Sequence, residues 1–303
     1  MAIVLAIPEG NDYANATIDK HDRLQKARPP RLIFVGGSSM AFGLDSPTVE
    51  KEMPYSVVNM GLMAPVGLRF MLDEIRHEIH EGDVVLLCPD FTTYFTPVDG
   101  HGEDLLTMLK ARPKSFTYLG SPGQLVNLLG SIPYVASRKV IRRGDRALEI
   151  RKTEDPMTDF INGTIGRRAN FNEYGDMVGH INVNWPFERE SGHLEKLEFD
   201  EETIVLINEF YQYARTRGSL VLVMYAPLEE TYYNEVKQII DGLHNRLRKG
   251  LHCPIIGSPD EYIFPDEYFF DDVFHLDGHG RIMRTKKVIR DLQIGLGISS
   301  ACR

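Results

Sequence analysis

Cysteine is scarce and scattered. Cys88, Cys253 and Cys302 are too few and too far apart for a disulfide framework or a zinc site with short ligand spacing. Positive charge is in deficit as well: 34 Lys and Arg face 43 Asp and Glu, a net charge of −9. That excludes the broad basic footprint of non-specific nucleic-acid binding. Gly36 and Gly37 follow neither G-x-G-x-x-G nor the P-loop pattern, so both common nucleotide-binding turns are excluded there. The opening MAIVLAI is seven residues long with no basic region ahead of it, too short to span a bilayer and poor as a signal peptide. A polar, helix-like stretch follows. Such a start also fits the tail of a membrane anchor, which would associate the protein with a membrane. No internal repeat and no low-complexity tract is seen.

What is present is core material, 43% hydrophobic residues in 303, enough for one large α/β domain or two small ones. The pattern is organised around RLIFVGGSSMAFGL, residues 31–44. Leu32 to Val35 form a continuous apolar run, expected of a strand covered on both faces in a parallel sheet. Gly36 and Gly37 then free the backbone for a tight turn, which places a serine at the C-terminal rim where open α/β sheets bind ligands. Similar short strands are expected at 56–59, ending in Asn59-Met60-Gly61, at 84–87, ending in Cys88-Pro89-Asp90, and at 220–225, with a short fifth at Ile255-Ile256. Helical spacing separates them at Pro65 to Ile79, Asp200 to Gly218 and Tyr232 to Arg248. The final helix, from Asp277 to Gly280 onward, carries Ile282, Met283, Val288, Ile289 and Leu292. Alternation of this kind predicts a doubly wound, three-layer α/β/α domain. Residues 1–30 read as an N-terminal helical extension, and about 95–197 as a helical and loop insertion that caps the site. Within that insertion Arg138, Lys139, Arg142, Arg143 and Arg146 read as a solvated helix face, or as a contact for an anionic polymer or membrane.

Before the last helix the chain reads FFDDVFHLDGHG. Asp272 and His275 are three apart in a loop, so the carboxylate can fold back on one ring nitrogen and leave the other free. A competing reading is a metal site from His275 and His279 with Asp272 or Asp277 as third ligand. Glycines on both sides of His279 disfavour the rigid pair it needs.

Taken in chain order, these blocks resemble the SGNH/GDSL hydrolase family. Gly37-Ser38-Ser39-Met40 with Gly43 is similar to the family's nucleophile block, in the register that selects Ser39. Asn59-Met60-Gly61 is similar to the oxyanion-glycine block, and Asp272 with His275 to the Asp-x-x-His block. The resemblance covers residues 32–90 and 220–292, not the insertion. It implies a flavodoxin-like sheet and a triad of Ser39, His275 and Asp272. The oxyanion would be held by the N–H groups of Ser39 and Gly61, with Asn59, Asp90, Thr92 and Thr93 lining the site. No metal or cofactor is implied. The substrate would be a small acyl ester, carried on a surface glycan, with hydrolysis and transfer both open because they share an acyl-enzyme. Ser38 replaces the family aspartate, as in branches resembling polysaccharide acetyltransferases and D-alanyl-transfer proteins. Asp90 stands where an oxyanion-binding asparagine is expected, so Thr92 or Thr93 would substitute as donor. That departure supports an alternative: a catalytically weakened protein that binds a glycan or a partner.

Overall fold

Four buried runs build the sheet. The computed structural model describes residues 13–147, 157, 160–186, 188–189 and 192–298, with the side chains of 138–147 and 161–162 left aside. The opening MAIVLAI and the side chains of the Arg138 to Arg146 cluster therefore lie outside the described residues. Strand β1 (Arg31–Gly36) is buried at all six positions. It pairs in parallel with β2 (Ser56–Asn59) on one side and β3 (Val84–Cys88) on the other, and β4 (Leu220–Val223) joins β3. The order is β2-β1-β3-β4. A parallel bridge from Val223 to Ile255 extends the sheet at the β4 edge, where the short fifth strand is expected. Continuous apolar strands such as VVLLC in β3 are what a sheet covered on both faces requires.

Register brings the strand ends together. Phe34 faces Asn59, Gly36 faces Cys88, and Leu87 faces Val223. All four C-terminal ends thus share one rim, and the loops leaving them converge.

Helices flank the sheet: α1 (Ala16–Lys26), the short α2 (Ser38–Phe42), α3 (Ser46–Glu52), α4 (Leu68–Arg76), α5 (Gly102–Ala111), α6 (Pro122–Ala147), α7 (Glu202–Thr216), α8 (Glu230–Gly250) and α9 (Gly278–Leu296). The N-terminal helix α1 buries Ala16 and Leu24 in the main core. Helix α9 starts where Asp277 accepts the N–H groups of His279 and Gly280, an N-cap that satisfies two otherwise orphaned donors. Its inward face is the expected one at Val288, Ile289 and Leu292 but not in the first turns. Arg281, Arg284, Thr285, Val288 and Leu292 are buried, whereas Ile282 and Met283 are 49% and 40% exposed.

The insertion is tied to the β2 end of the rim. Asn59 N donates to Tyr174 O at 2.9 Å, and Met177 N to Ala41 O at 2.9 Å. The buried Lys20 ammonium reaches Asn59 O at 3.0 Å and also bonds Gly175 O, with the Phe171 ring 5.0 Å away. Burial lowers the pKa of Lys20 to about 7, against the pull of nearby Asp176. A second, smaller core gathers Ala41, Phe42, Ile165, Met177 and Phe270, with Trp185 and Phe160 packed on it. Among the described residues no helix is long and apolar enough to cross a membrane.

Candidate active site

The turn after β1 sets the geometry. Gly37 is needed for space rather than for unusual angles: its φ is −87°, but an added Cβ would lie 2.0 Å from Asp90 Oδ2 and 2.8 Å from the Ala64 Cβ. Gly61 is equally closed, since a Cβ there would come within 2.5 Å of Met40 Cβ. The glycines let three rim loops touch, and the expectation of backbone angles closed to other residues is not met at either Gly36 or Gly37.

Ser38 opens α2, and its Oγ lies 2.8 Å from His275 Nε2. The other ring nitrogen, Nδ1, is 2.7 Å from Asp271 Oδ1. These contacts form a serine, imidazole and carboxylate row. The ring is stacked on Phe42, with centroids 4.3 Å apart and planes 9° from parallel. Behind Phe42, His180 is almost fully buried; its Nε2 lies 3.0 Å from Leu276 O, pinning the loop that carries His275. Burial pushes the His180 pKa down to about 3, so the ring is neutral.

Two sequence expectations are corrected here. Ser39 does not face the imidazole: it is 0% exposed and its hydroxyl donates to Asp90 Oδ1, while its carbonyl accepts from Arg284 Nη1 at 2.9 Å. Asp272 does not make the hydrogen bond to the ring either. Its Oδ1 accepts the N–H groups of Phe274 at 2.5 Å and His275 at 3.0 Å, closing the loop on itself, and Oδ2 stays 3.7 Å from Nδ1. The carboxylate on the ring is Asp271.

The oxyanion expectation changes in the same way. Gly61 N–H donates to Asn59 Oδ1 at 3.0 Å, and Asn59 Nδ2 is held by Met40 O at 3.1 Å and Asp176 Oδ1 at 2.8 Å. Both groups are engaged within the protein. Asn59 is a brace, and Asp176 is the hub it leans on. That buried carboxylate also takes Ser46 N and Oγ at 2.9 and 2.5 Å, Asn172 Nδ2 at 3.0 Å and Arg281 Nη2 at 3.1 Å. Thr92 and Thr93 lie on the turn after Asp90. Thr93 is 2% exposed, and its hydroxyl has no hydrogen-bond partner among the described residues. The Thr92 carbonyl accepts from Thr96 Oγ1 at 3.2 Å.

Charge in the site is dominated by carboxylates. Burial alone would lower the pKa of His275, yet Asp272, Asp271 and Asp90 overcome it and hold the value up to about 10. Burial raises Asp272 to about 6. It works the same way on Asp271, but the adjoining imidazole holds that carboxyl below the ordinary range. Asp90 is raised by burial against the Ser39 hydroxyl, His275 and Arg284.

The metal arrangement is not assembled from the residues expected. His279 is 85% exposed on the first turn of α9, Asp277 is spent on the helix cap, and His275 is engaged by Ser38 and Asp271. Among the described residues no three His, Cys, Asp or Glu side chains converge as ligands.

Sequence reasoning missed Ser38, Asp271, Asp176 and the two arginines of α9. Arg281 and Arg284 did carry a signal, because they fall in line with Val288 and Leu292 at helical spacing, inside the apolar stripe. No family model matches the chain, and no curated protein is detectably similar to it.

Proposed function

We propose that the protein is a serine-dependent hydrolase or O-acyltransferase of SGNH/GDSL type, acting on a small acyl ester. The observation that carries this reading is the 2.8 Å contact between Ser38 Oγ and His275 Nε2, with Asp271 at 2.7 Å on the far side of the ring. Ser38 Oγ attacks the ester carbonyl, His275 Nε2 takes its proton and later returns it to the leaving alcohol, and Asp271 fixes the tautomer. Whether water or a sugar hydroxyl accepts the acyl group follows from what reaches the acyl-enzyme. A surface glycan remains the substrate favoured by the sequence resemblance. A fluorophosphonate probe tests the assignment: it labels the wild type and leaves Ser38→Ala unlabelled, and equal labelling of both would sink it.

One observation favours a second reading, a weakened member of the same family that binds a glycan or partner: the Gly61 N–H is already bonded to Asn59. Turnover of p-nitrophenyl acetate no greater than in Ser38→Ala, with saturable polymer binding, would select that reading.

A further inference from the structure

An attack by Ser38 would leave negative charge on the former carbonyl oxygen, and two of the amide donors expected to meet it are engaged elsewhere. Gly61 N–H is held by Asn59 Oδ1, and Asn59 Nδ2 by Met40 and Asp176. Beside the Thr93 hydroxyl, which has no hydrogen-bond partner among the described residues, Asp90 is the buried ionisable side chain at the β3 end of that rim. It is 3% exposed, and Ser39 is its only hydrogen-bonding partner among the described residues. Its Oδ2 runs directly against Gly37, the residue before Ser38, so close that a Cβ at 37 would stand 2.0 Å from it.

We propose that Asp90 is a further catalytic residue that works as an uncharged acid, its Oδ2 hydroxyl donating a hydrogen bond to the acyl oxygen as Ser38 adds. This rests on the serine chemistry proposed above. In the step, Ser38 Oγ bonds to the acyl carbon, its proton passes to His275 Nε2, and the carbonyl π pair moves onto the oxygen facing Asp90. On collapse that pair returns, the bond to the leaving alcohol oxygen breaks, and His275 gives the proton to that oxygen. Asp90 keeps its own proton throughout. A carboxyl held neutral by its surroundings can serve an oxyanion in this way.

The surroundings fit the role. Burial favours the protonated form of Asp90, and the neutral Cys88 thiol, Tyr94 and Tyr13 lie around it. Asp272, from the loop before α9, adds a repelling carboxylate. Opposing them are the Ser39 hydroxyl and N–H from α2, His275, and Arg284 from α9. A proton on Asp90 also removes one of the three carboxylates that hold a proton on His275, so the acid and the base become competent together. The productive form carries a proton on Asp90 and none on His275 Nε2. Activity is then lost both when each group is protonated and when neither is.

The test is the pH profile of kcat/KM for p-nitrophenyl acetate, in wild type, Asp90→Asn and Asp90→Ala. We expect a bell in wild type. In Asp90→Asn the amide N–H replaces the acid, activity stays within about tenfold, and the alkaline limb disappears; in Asp90→Ala it falls about a hundredfold or more. A wild-type profile that only rises to a plateau overturns the proposal, and so does an Asp90→Asn protein that is folded by circular dichroism yet as weak as Asp90→Ala. The wild-type profile decides the question even should a variant not fold. Labelling of Ser38 without an alkaline limb confines the failure to Asp90, whereas labelling that survives in Ser38→Ala overturns the serine chemistry and this inference with it.

Discussion

His275 Nε2 stands 2.8 Å from the hydroxyl of Ser38, while Ser39, the next residue, turns its hydroxyl into the core against Asp90. Consecutive residues on a helix point about 100° apart, so two serines opening α2 cannot both face one imidazole. One meets the cleft and the other braces the turn.

Exchanging the two serines for alanine therefore separates chemistry from support. Ser38→Ala abolishes fluorophosphonate labelling with little change in the urea midpoint. Ser39→Ala keeps the label but loses about 1–3 kcal/mol, the cost of leaving the buried Asp90 without its hydroxyl partner. Labelling lost only in Ser39→Ala would reverse the assignment.

The two adjacent aspartates separate in the same manner. Asp271→Asn removes the acceptor that fixes the His275 tautomer, and the esterase rate falls by about a thousandfold or more. Asp272→Asn retains a side-chain oxygen for the Phe274 and His275 N–H groups, so the loss stays within about tenfold. Steady-state kinetics of the pair would show the opposite ranking were Asp272 the orienting group.

Stability should respond to alkali through His275. Its folded pKa is raised from 6.5 to about 10, so its contribution is fully present below about 6.5 and is lost as pH rises through about 10. Asp271 has the opposite sign: its folded value lies below 3.8, so its contribution is present above that value and fades as pH falls further. In His275→Gln the alkaline fall in urea midpoint becomes shallower than in wild type. Identical slopes would mean that the carboxylates do not hold the ring's proton.

Away from the chemistry, Asp176 is a buried carboxylate that several elements lean on. Asp176→Ala leaves the buried Arg281 with the Leu44 carbonyl and the partly exposed Asp45 carboxylate at 3.3 Å, and takes one partner each from Asn59 Nδ2 and the Ser46 hydroxyl. A loss of about 3–5 kcal/mol is expected by chemical denaturation. A change under about 1 kcal/mol would show that water replaces the hub at little cost.

Strands β1, β3 and β4 were legible because a strand buried on both faces must be apolar throughout, and LIFV, VVLL and LVLV are such runs. Helix α9 was legible in position from its Asp-Gly start and in facing at Val288, Ile289 and Leu292, but not in its first turns, where Arg281 and Arg284 are buried and Ile282 and Met283 are exposed. Buried arginines there make sense only once Asp176, 105 residues from Arg281, and the Ser39 carbonyl, 245 residues from Arg284, are beside them.

Local sequence thus decided what depends on neighbours along the chain: the apolar strands, the turn glycines after β1, the cap of the last helix, and the presence of a serine and a histidine at candidate loops. Only the tertiary structure decided which serine and which aspartate meet the imidazole, and that Gly61 and Asn59 spend their polar groups on each other and on Asp176. The reason is geometric. A one-residue shift along a helix or loop turns a side chain through a large angle, and the partner that settles its direction arrives from a distant part of the chain.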